Sequence, residues 1–344
     1  MKLGIEIGGT KVQLFSADGS GQVQQRFRYE VDKKKGAGGI LDFITQTLRQ
    51  LHTPPTAVGV GFGGPVNSDT GQISTSYQIE GWAGLNLMNW FREQTQAQTI
   101  RIENDANVAA LGEALHGAGR GYRHVFYVTI GSGIGGGMVV DGQIYHGAMP
   151  GEAELGHLWL VPPGRSADAE SSPGESTPGE STPGESTPGE STPGESTPGE
   201  STPGQTLEET CSGWAIDRQI RNLLPQLPTD SPLRQLVEAA TNEGRVGGEA
   251  RFLLSAYEQG DTVAHMLIEQ VGSVLALGLS HATHLFHPQV IVLGGGLSLI
   301  GEPLRAAVKN ALERFVMKAF RPAPLVFLSQ LREEAVPIGA LAML

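Results

Sequence analysis

Short runs of apolar residues alternate along the chain with longer segments in which apolar residues recur at helical spacing. The short runs predict buried β-strands, and the longer segments predict amphipathic helices. The predicted strands span residues 3–7, 11–16, 57–62, 99–102, 124–130, 138–140, 290–293 and 325–328. The predicted helices span residues 40–51, 85–91, 105–116, 214–224, 232–241, 248–257, 261–286 and 303–315, with a short one from residue 337. Because strands alternate with helices, the pattern predicts an α/β fold.

Two parts of this pattern open in the same way. Residues 3–16 read as a β-hairpin around Gly8-Gly9-Thr10, and residues 124–140 read as a second hairpin around the glycine-rich segment 131–137. Two similar openings predict duplicated halves that face a cleft.

The pattern is interrupted by a tandem repeat. Residues 170–174 read ESSPG, and six perfect copies of ESTPG follow up to Gly204. Every unit contains proline and glycine and no other apolar side chain, so the segment cannot build a core or sustain a helix. We expect a solvated linker that spans on the order of 30 Å, inserted over residues 166–205, and a segment that binds a specific partner is the alternative.

Charge and cysteine content narrow the classes of protein. The formal net charge is −12, but the repeat contributes seven Glu, and −12 + 7 leaves −5 for the remainder. Without clustered positive charge we expect neither nucleic acid nor an anionic membrane as a partner. The single cysteine, Cys211, fits a reducing compartment. The first residues lack the pattern of a signal peptide, and the apolar segment 271–286 is too short to span a bilayer, so we expect a soluble cytoplasmic protein.

Three glycine clusters stand at predicted strand ends. They are Gly8-Gly9-Thr10, Gly131-Ser132-Gly133 and Gly294-Gly295-Gly296. Glycine at such a position lets backbone N–H groups approach an anion, and the hydroxyls of Thr10, Thr129 and Ser132 add donors. None of the clusters has the lysine and hydroxyl residue of a single-loop phosphate cradle. The pattern therefore predicts nucleotide phosphates held between two domains.

Polar residues concentrate at two further places. Residues 103–107, ENDAN, lie at a predicted strand-to-helix corner, where a carboxylate is well placed to accept a proton from a substrate hydroxyl. A simple helix cap is the alternative role for these residues. Glu154 and His157 are three positions apart, so one helical turn or a loop could bring them together, and such a pair suits hydrogen bonds to sugar hydroxyls.

Six motifs together resemble a known family, the ROK sugar kinases (repressors, open reading frames and kinases). They are GIEIGGTK, GVGFGGPV, ENDANVAALGEALHGAG, TIGSGIGGGMVVDG, GEAELGH and VIVLGGG, and they cover essentially the whole chain outside the repeat. The resemblance implies the two-lobed, ribonuclease H-like α/β fold shared by actin, hexokinase and the heat-shock chaperone ATPases, with the active-site cleft between the lobes. It also implies a homodimer or homotetramer. We expect one lobe from residues 1–118 with 332–344, and the other from residues 119–331.

The resemblance also implies roles for individual residues. Asp105 would be the catalytic base that activates a sugar hydroxyl for attack on the γ-phosphoryl group of ATP. The sugar-binding residues would be Gly64, Asn104, Asp105, Glu154, His157 and Glu208. The nucleotide-binding residues would be Gly9, Thr10, Lys11, Thr129, Gly131 and Gly295. Mg²⁺ is expected together with ATP.

The sequence departs from the family pattern at two places. Glu6 stands where the family usually has Asp, which keeps the carboxylate one methylene farther out. The cysteine-rich zinc segment that usually follows the Gly-His motif is missing, and aligning TLEETCSGWAI with its end identifies Glu208 as the sugar contact, or Glu209 if the alignment shifts by one. Because His157 and Cys211 cannot complete a tetrahedral site, we expect no structural zinc.

The expected function is that of an ATP-dependent hexose kinase, most simply one that converts glucose to glucose 6-phosphate. A DNA-binding repressor is the second hypothesis, but family repressors carry a helix-turn-helix before the first glycine motif, and here Gly8 follows almost at once. A catalytically weak sugar-binding regulatory protein is the third. The retained Asp105 and phosphate turns favour the kinase.

Overall fold

The computed structural model describes residues 1–74, 79–148, 151–161 and 205–344. The predicted repeat, and all but residue 205 of the predicted insertion 166–205, lie outside the described residues. The strands are β1 Lys2–Ile7, β2 Lys11–Ala17, β3 Val23–Glu30, β4 Ala57–Phe62, β5 Thr99–Asn104, β6 His124–Ile130, β7 Ile134–Val140, β8 Gln143–Ile144, β9 Trp159–Val161, β10 Gln205–Thr206, β11 Val290–Gly294 and β12 Leu325–Leu328. The α-helices are α1 Gly36–Gln50, α2 Leu87–Thr95, α3 Asp105–His116, α4 Leu207–Cys211, α5 Gly213–Leu223, α6 Pro232–Asn242, α7 Leu253–Glu258, α8 Thr262–Phe286, α9 Glu302–Phe315 and α10 Ala335–Ala342.

Two five-stranded sheets have the same topology. The first has the order β3-β2-β1-β4-β5, and the second, taken in the matching direction, has the order β8-β7-β6-β11-β12. In each, the first strand of an antiparallel hairpin pairs in parallel with a later strand, and that strand pairs in parallel with one more. The predicted duplication is therefore confirmed at the level of the sheets.

Contacts divide the described chain into two compact units. The larger unit comprises Met1–Leu158 and Leu207–Leu344 and contains both five-stranded sheets. The smaller unit is Trp159–Thr206, in which β9 and β10 pair antiparallel.

Two helices of the larger unit lie between its sheets. Helix α3 contacts β6 and β7 of the second sheet, and α10 contacts α3 together with β1 and β4 of the first. Close approach requires glycine here: a Cβ on Gly339 would lie 1.9 Å from the carbonyl oxygen of Val108, and one on Gly112 would lie 2.4 Å from that of Ala335. The C-terminal helix is thus a structural part of the centre of the molecule.

The other faces of the sheets are also covered. Ile40 and Ile44 of α1 and Phe91 of α2 are buried in one apolar cluster with residues of β1, β2 and β4. Helix α8 packs against α9, and Phe286 at its end stacks on Phe126 of β6.

Helix α8 has 25 residues and is the one described helix that is long and apolar enough to cross a membrane. This differs from the expectation based on the shorter segment 271–286. Half of its most apolar window is buried inside the protein, and core helices of soluble proteins share this length and composition. The helix is a core helix of the larger unit.

Several elements differ from the sequence-based expectation. The short elements β8, β9, β10 and α4 were not predicted. Strand β3 was not predicted, because its residues VQQRFRYE are mostly exposed and carry little apolar signal. Strand β7 begins at Ile134, so the glycine turn covers only residues 131–133. The predicted helix 248–257 is a 3-10 helix, Glu249–Phe252, followed by α7.

Candidate active site

The polar corner between β5 and α3 is built around Asn104. Its Oδ1 accepts a hydrogen bond from the Ala106 N–H at 2.9 Å, so Asn104 is the N-cap of α3. Its Nδ2 donates to the Gly64 carbonyl at 3.4 Å. The capping role considered from the sequence is confirmed, and the same side chain ties the corner to the loop after β4.

Asp105 is the first residue of α3 and is partly buried. Burial, followed by the nearby charge of Glu6, raises the pKa of its carboxyl from 3.8 to about 7. The N–H of Ala106 and the helix N-terminus oppose this shift. A Cβ on Gly63 would lie 3.2 Å from Asp105 Oδ2, so the backbone after β4 passes close to the carboxylate. A carboxyl with this pKa can exchange a proton near neutral pH.

Glu6, at the end of β1, is a second buried carboxylate beside Asp105. Its Oε2 lies 3.1 Å from Lys11 Nζ and accepts a hydrogen bond from Gln13 Nε2 at 2.7 Å. Burial raises the pKa of Glu6, while Lys11 acts in the opposite direction. Gln13, which sequence reasoning missed, also donates to the Glu333 carbonyl at 2.8 Å and so links β2 to the segment before α10.

A cavity of about 730 Å³ brings the predicted phosphate-binding residues together. Its lining includes all six predicted nucleotide contacts and Asp105: Gly9, Thr10, Lys11, Asp105, Thr129, Gly131 and Gly295. The turns come from both hairpins and from the end of β11, which are far apart in sequence but meet because the two sheets share α3 and α10. Gly295, at φ +78°, adopts a backbone conformation that favours glycine.

A neighbouring cavity of about 500 Å³ shares Gly131 and Ser132 with the first. Its other lining residues include Trp214, Asp217 and Arg251, none of which the sequence identified. Asp217 accepts hydrogen bonds from the N–H groups of Gly248 at 3.0 Å and Ala250 at 2.7 Å, and so orders the segment before α7.

A third cavity, of about 300 Å³, lies at the polar corner. Asn104 and Glu154 of the predicted sugar-binding set line it, together with Glu103, Asn107, His146 and Glu152. Gly64, His157 and Glu208 are not among the described residues that line this cavity. The sequence analysis did not identify His146 and Glu152, because their position in a glycine-rich segment was their only signal.

Glu154 precedes a 3-10 helix, Leu155–His157, and His157 is its last residue, so the two predicted residues lie at the same turn. Burial raises the pKa of Glu154, and the charge of His157 opposes that shift. Glu208, at the start of α4, accepts a hydrogen bond from the Ile134 N–H at 2.7 Å. A Cβ on Gly133 would lie 2.4 Å from Glu208 Oε2, so glycine there makes room for the carboxylate. Glu209, the alternative, is exposed.

The residues present do not fit the zinc site of the family that the sequence resembles. Cys211 is buried in α4, and burial raises the pKa of its thiol to about 12, which disfavours the thiolate that binds metal. His157 is exposed, and the chain has no further cysteine. The expectation of no structural zinc stays a prediction.

Comparison with known proteins gives consistent matches over the full chain. A sequence profile of the ROK family matches residues 2–344. The glucokinase of Thermotoga maritima is 26% identical over 344 aligned residues, which cover 99% of this chain and 96% of that protein. The xylose repressor of Caldicellulosiruptor bescii is 19% identical, and the match covers 99% of this chain and 77% of the repressor.

A solved structure is similar over the same extent. The ROK family glucokinase of Streptomyces griseus, crystallised with glucose and AMPPNP, superposes with a TM-score of 0.76 at 25% identity, covering 99% of this chain and 98% of that one. This similarity confirms the predicted two-lobed α/β fold of the actin-like ATPases. Given the profile match over residues 2–344 and the fold, the chain belongs to the ROK family.

Proposed function

We propose that the protein is an ATP-dependent hexose kinase that converts glucose to glucose 6-phosphate, with Asp105 as general base. The observation that carries the proposal is the position of Asp105. Its carboxylate lines the same cavity as the glycine turns of both sheets and follows directly on Asn104, which lines the polar cavity next to it. A proton acceptor thus lies between a site suited to phosphates and a site suited to hydroxyls.

On the sugar side, Asn104, Glu154, His157 and Glu208 would hold the hexose, with the Gly64 backbone beside them. Carboxylates and amides are well matched to sugar hydroxyls, because they accept or donate hydrogen bonds in fixed directions. Glu208 supports this role through its hydrogen bond to the Ile134 N–H, which holds its carboxylate in place.

On the nucleotide side, the backbone N–H groups and hydroxyls at Gly9, Thr10, Thr129 and Gly131, with Lys11, would hold the phosphates. Gly295 would contact the adenosine, and the cavity around Trp214 and Arg251 would receive the base. The substrate hydroxyl would give its proton to Asp105 as its oxygen attacks the γ-phosphorus. Phosphoryl transfer depends mostly on such positioning and on charge stabilisation.

Mg²⁺ would neutralise charge on the ATP phosphates. The site fits a cation, since the carboxylates of Glu6 and Asp105 line one cavity and repel each other. Glu6 would face the ion, and Lys11, already paired with Glu6, would help hold the phosphates.

We further propose that the protein acts in the cytoplasm as a homodimer or homotetramer. The glucokinases among the relatives, such as that of Thermotoga maritima, support the enzymatic proposal. Light scattering on the purified chain measures the oligomeric state.

The test is ADP release in the presence of MgATP over a panel of hexoses. Glucose-dependent ADP formation, lowered by about 10²- to 10⁴-fold in an Asp105→Asn variant, is the expected result. The second candidate, a sugar-binding regulatory protein, is favoured by the match of 99% of this chain to a repressor. Tight glucose binding with no turnover on any hexose would support that candidate and contradict the kinase.

A further inference from the structure

Four polar side chains from two separate segments meet beside the sugar-binding corner. They are Glu103, Asn107, His146 and Glu152. His146 Nε2 lies 3.4 Å from Glu103 Oε2, and His146 Nδ1 lies 3.1 Å from Glu152 Oε1. One ligand atom each from Glu103, His146 and Glu152 can be chosen so that all three lie within 4.8 Å of one another. The three residues therefore form a compact donor set.

The two carboxylates of the set are largely buried, whereas His146 is about half exposed. The side chains of Glu103 and Glu152 are only 8% and 7% exposed. No Lys or Arg is among the described residues that line this cavity. Two buried carboxylates this close are costly without a cation to neutralise them.

Asn107 supplies an independent sign of a missing ligand. The residue is 3% exposed, and its Nδ2 lies 2.7 Å from Glu152 Oε1 and 3.3 Å from Glu103 Oε1. Its Oδ1 is buried and has no hydrogen-bond partner among the described residues. Rotation of the amide exchanges the two atoms and turns Oδ1 towards the carboxylates. That orientation becomes favourable once a cation lies between them.

We propose that Glu103, His146 and Glu152 bind a divalent transition-metal ion, with Asn107 Oδ1 as a fourth ligand. A mixed set of imidazole nitrogen and carboxylate oxygen matches zinc and its neighbours better than Mg²⁺ or Ca²⁺, which prefer oxygen alone. One ring nitrogen of His146 would bind the ion, and the other would donate to a carboxylate, as is usual for metal-bound histidine.

The ion would link the segment that carries His146 and Glu152 to the corner between β5 and α3. Glu103 and Asn107 flank Asn104 in sequence, and Glu154 follows two residues after Glu152. Metal binding would therefore set the position of two sugar-binding candidates without contacting the sugar. The site is separate from the cavity of Glu6 and Asp105, and the proposal holds whether or not the protein is a kinase.

The test is calorimetric titration of the full-length, chelator-treated protein with Zn²⁺ in the absence of nucleotide. We expect one site in the wild type. Loss of an outer-shell partner commonly weakens metal binding by about 10–100-fold, so His146→Ala and Glu152→Gln should weaken it by at least about 100-fold. His116→Ala, at the exposed end of α3, is the matched control and should bind as the wild type does.

A second measurement guards against misfolded variants. Zn²⁺ should raise the melting temperature of the wild type and of His116→Ala, and should leave those of His146→Ala and Glu152→Gln unchanged. Circular dichroism spectra matching the wild type establish that the variants are folded. Absence of Zn²⁺ binding by the wild type, or equal affinity in the wild type and both ligand variants, overturns the proposal. Glucose-dependent ADP release, measured separately with MgATP, distinguishes failure of this site from failure of the proposed kinase.

Discussion

At the scale of single residues, Asp105 is shaped by burial, by Glu6 and by its place at a helix start. Burial and the Glu6 charge favour the protonated carboxyl, whereas the Ala106 N–H favours the ionised one. The effects of burial and of the Glu6 charge are the larger ones, and the pKa lies near 7. A base with such a pKa is half ionised at neutral pH and still basic enough to accept a proton in the transition state.

Replacing Asp105, the proposed base, should strongly lower turnover and leave glucose binding intact. We expect Asp105→Asn to lower kcat by about 10²- to 10⁴-fold, because it removes proton transfer but keeps the shape and most hydrogen bonds of the side chain. Steady-state ADP release measures kcat, and calorimetry measures glucose binding. Asp42→Asn, an exposed residue of α1, is the control and should retain wild-type kcat. Wild-type turnover by Asp105→Asn would refute the assignment.

The same carboxyl should make stability depend on pH. The folded protein keeps the Asp105 proton up to a pH of about 7, whereas the unfolded chain releases it near 3.8. The folded state therefore binds more protons in this window, and its stability falls as pH rises through it. Asn at position 105 cannot ionise. The melting temperature of Asp105→Asn minus that of the wild type should therefore increase from pH 4 to pH 8. Fluorimetric melts compare the two, and a difference that is constant across the window would contradict the proposed pKa.

At the scale of elements, the molecule depends on how closely α10 approaches α3 and the first sheet. Cβ atoms on Gly59 and Gly4 would lie 2.0 Å from the Ala340 carbonyl oxygen and 2.4 Å from that of Pro337. The helix and the strands can contact each other backbone to backbone only because these side chains are missing. Glycine inside a strand is less favourable than alanine by roughly 0.5–1 kcal/mol, and here close packing outweighs that cost.

This packing predicts opposite effects for two glycine substitutions in helices. Gly339→Ala should destabilise the protein by about 1–3 kcal/mol, since the added methyl group overlaps the Val108 carbonyl. Gly38→Ala in α1 is the matched control: nothing lies within 4 Å of its added Cβ, so it should be neutral or stabilise by up to about 1 kcal/mol. Thermal and urea unfolding compare the variants. Equal stability of the two would show that the close contact does not constrain α10.

At the scale of the whole molecule, two sheets of the same topology enclose α3 and α10, and the cavity of Asp105 collects one glycine turn from each hairpin. The second half of the chain also carries the repeat at residues 170–204. The sequence of the repeat predicts a linker, and such a length change has a small entropic cost.

Shortening the repeat should therefore have little effect. Removing three of the six perfect copies takes away 15 of the 35 repeat residues and should change the free energy of unfolding by roughly 0.5 kcal/mol. Glucose-dependent ADP release should stay within about twofold of the wild type, since roughly 0.4 kcal/mol corresponds to a factor of two. A variant with three scrambled copies of unchanged length controls for composition. A large loss of activity on shortening alone would favour a specific role for the repeat.

The sequence by itself determined most elements, because burial imposes a local period on apolar residues and glycine marks the turns. Strands β4, β6 and β12 have the predicted bounds, and Asn104 caps α3 as expected. Strand β3 was not predicted, because an exposed strand needs no alternation of apolar and polar residues. Only the tertiary structure brought His146 to Glu103 and placed Glu208 on the Ile134 N–H. Contacts between distant segments depend on how whole elements pack, and no local pattern records them.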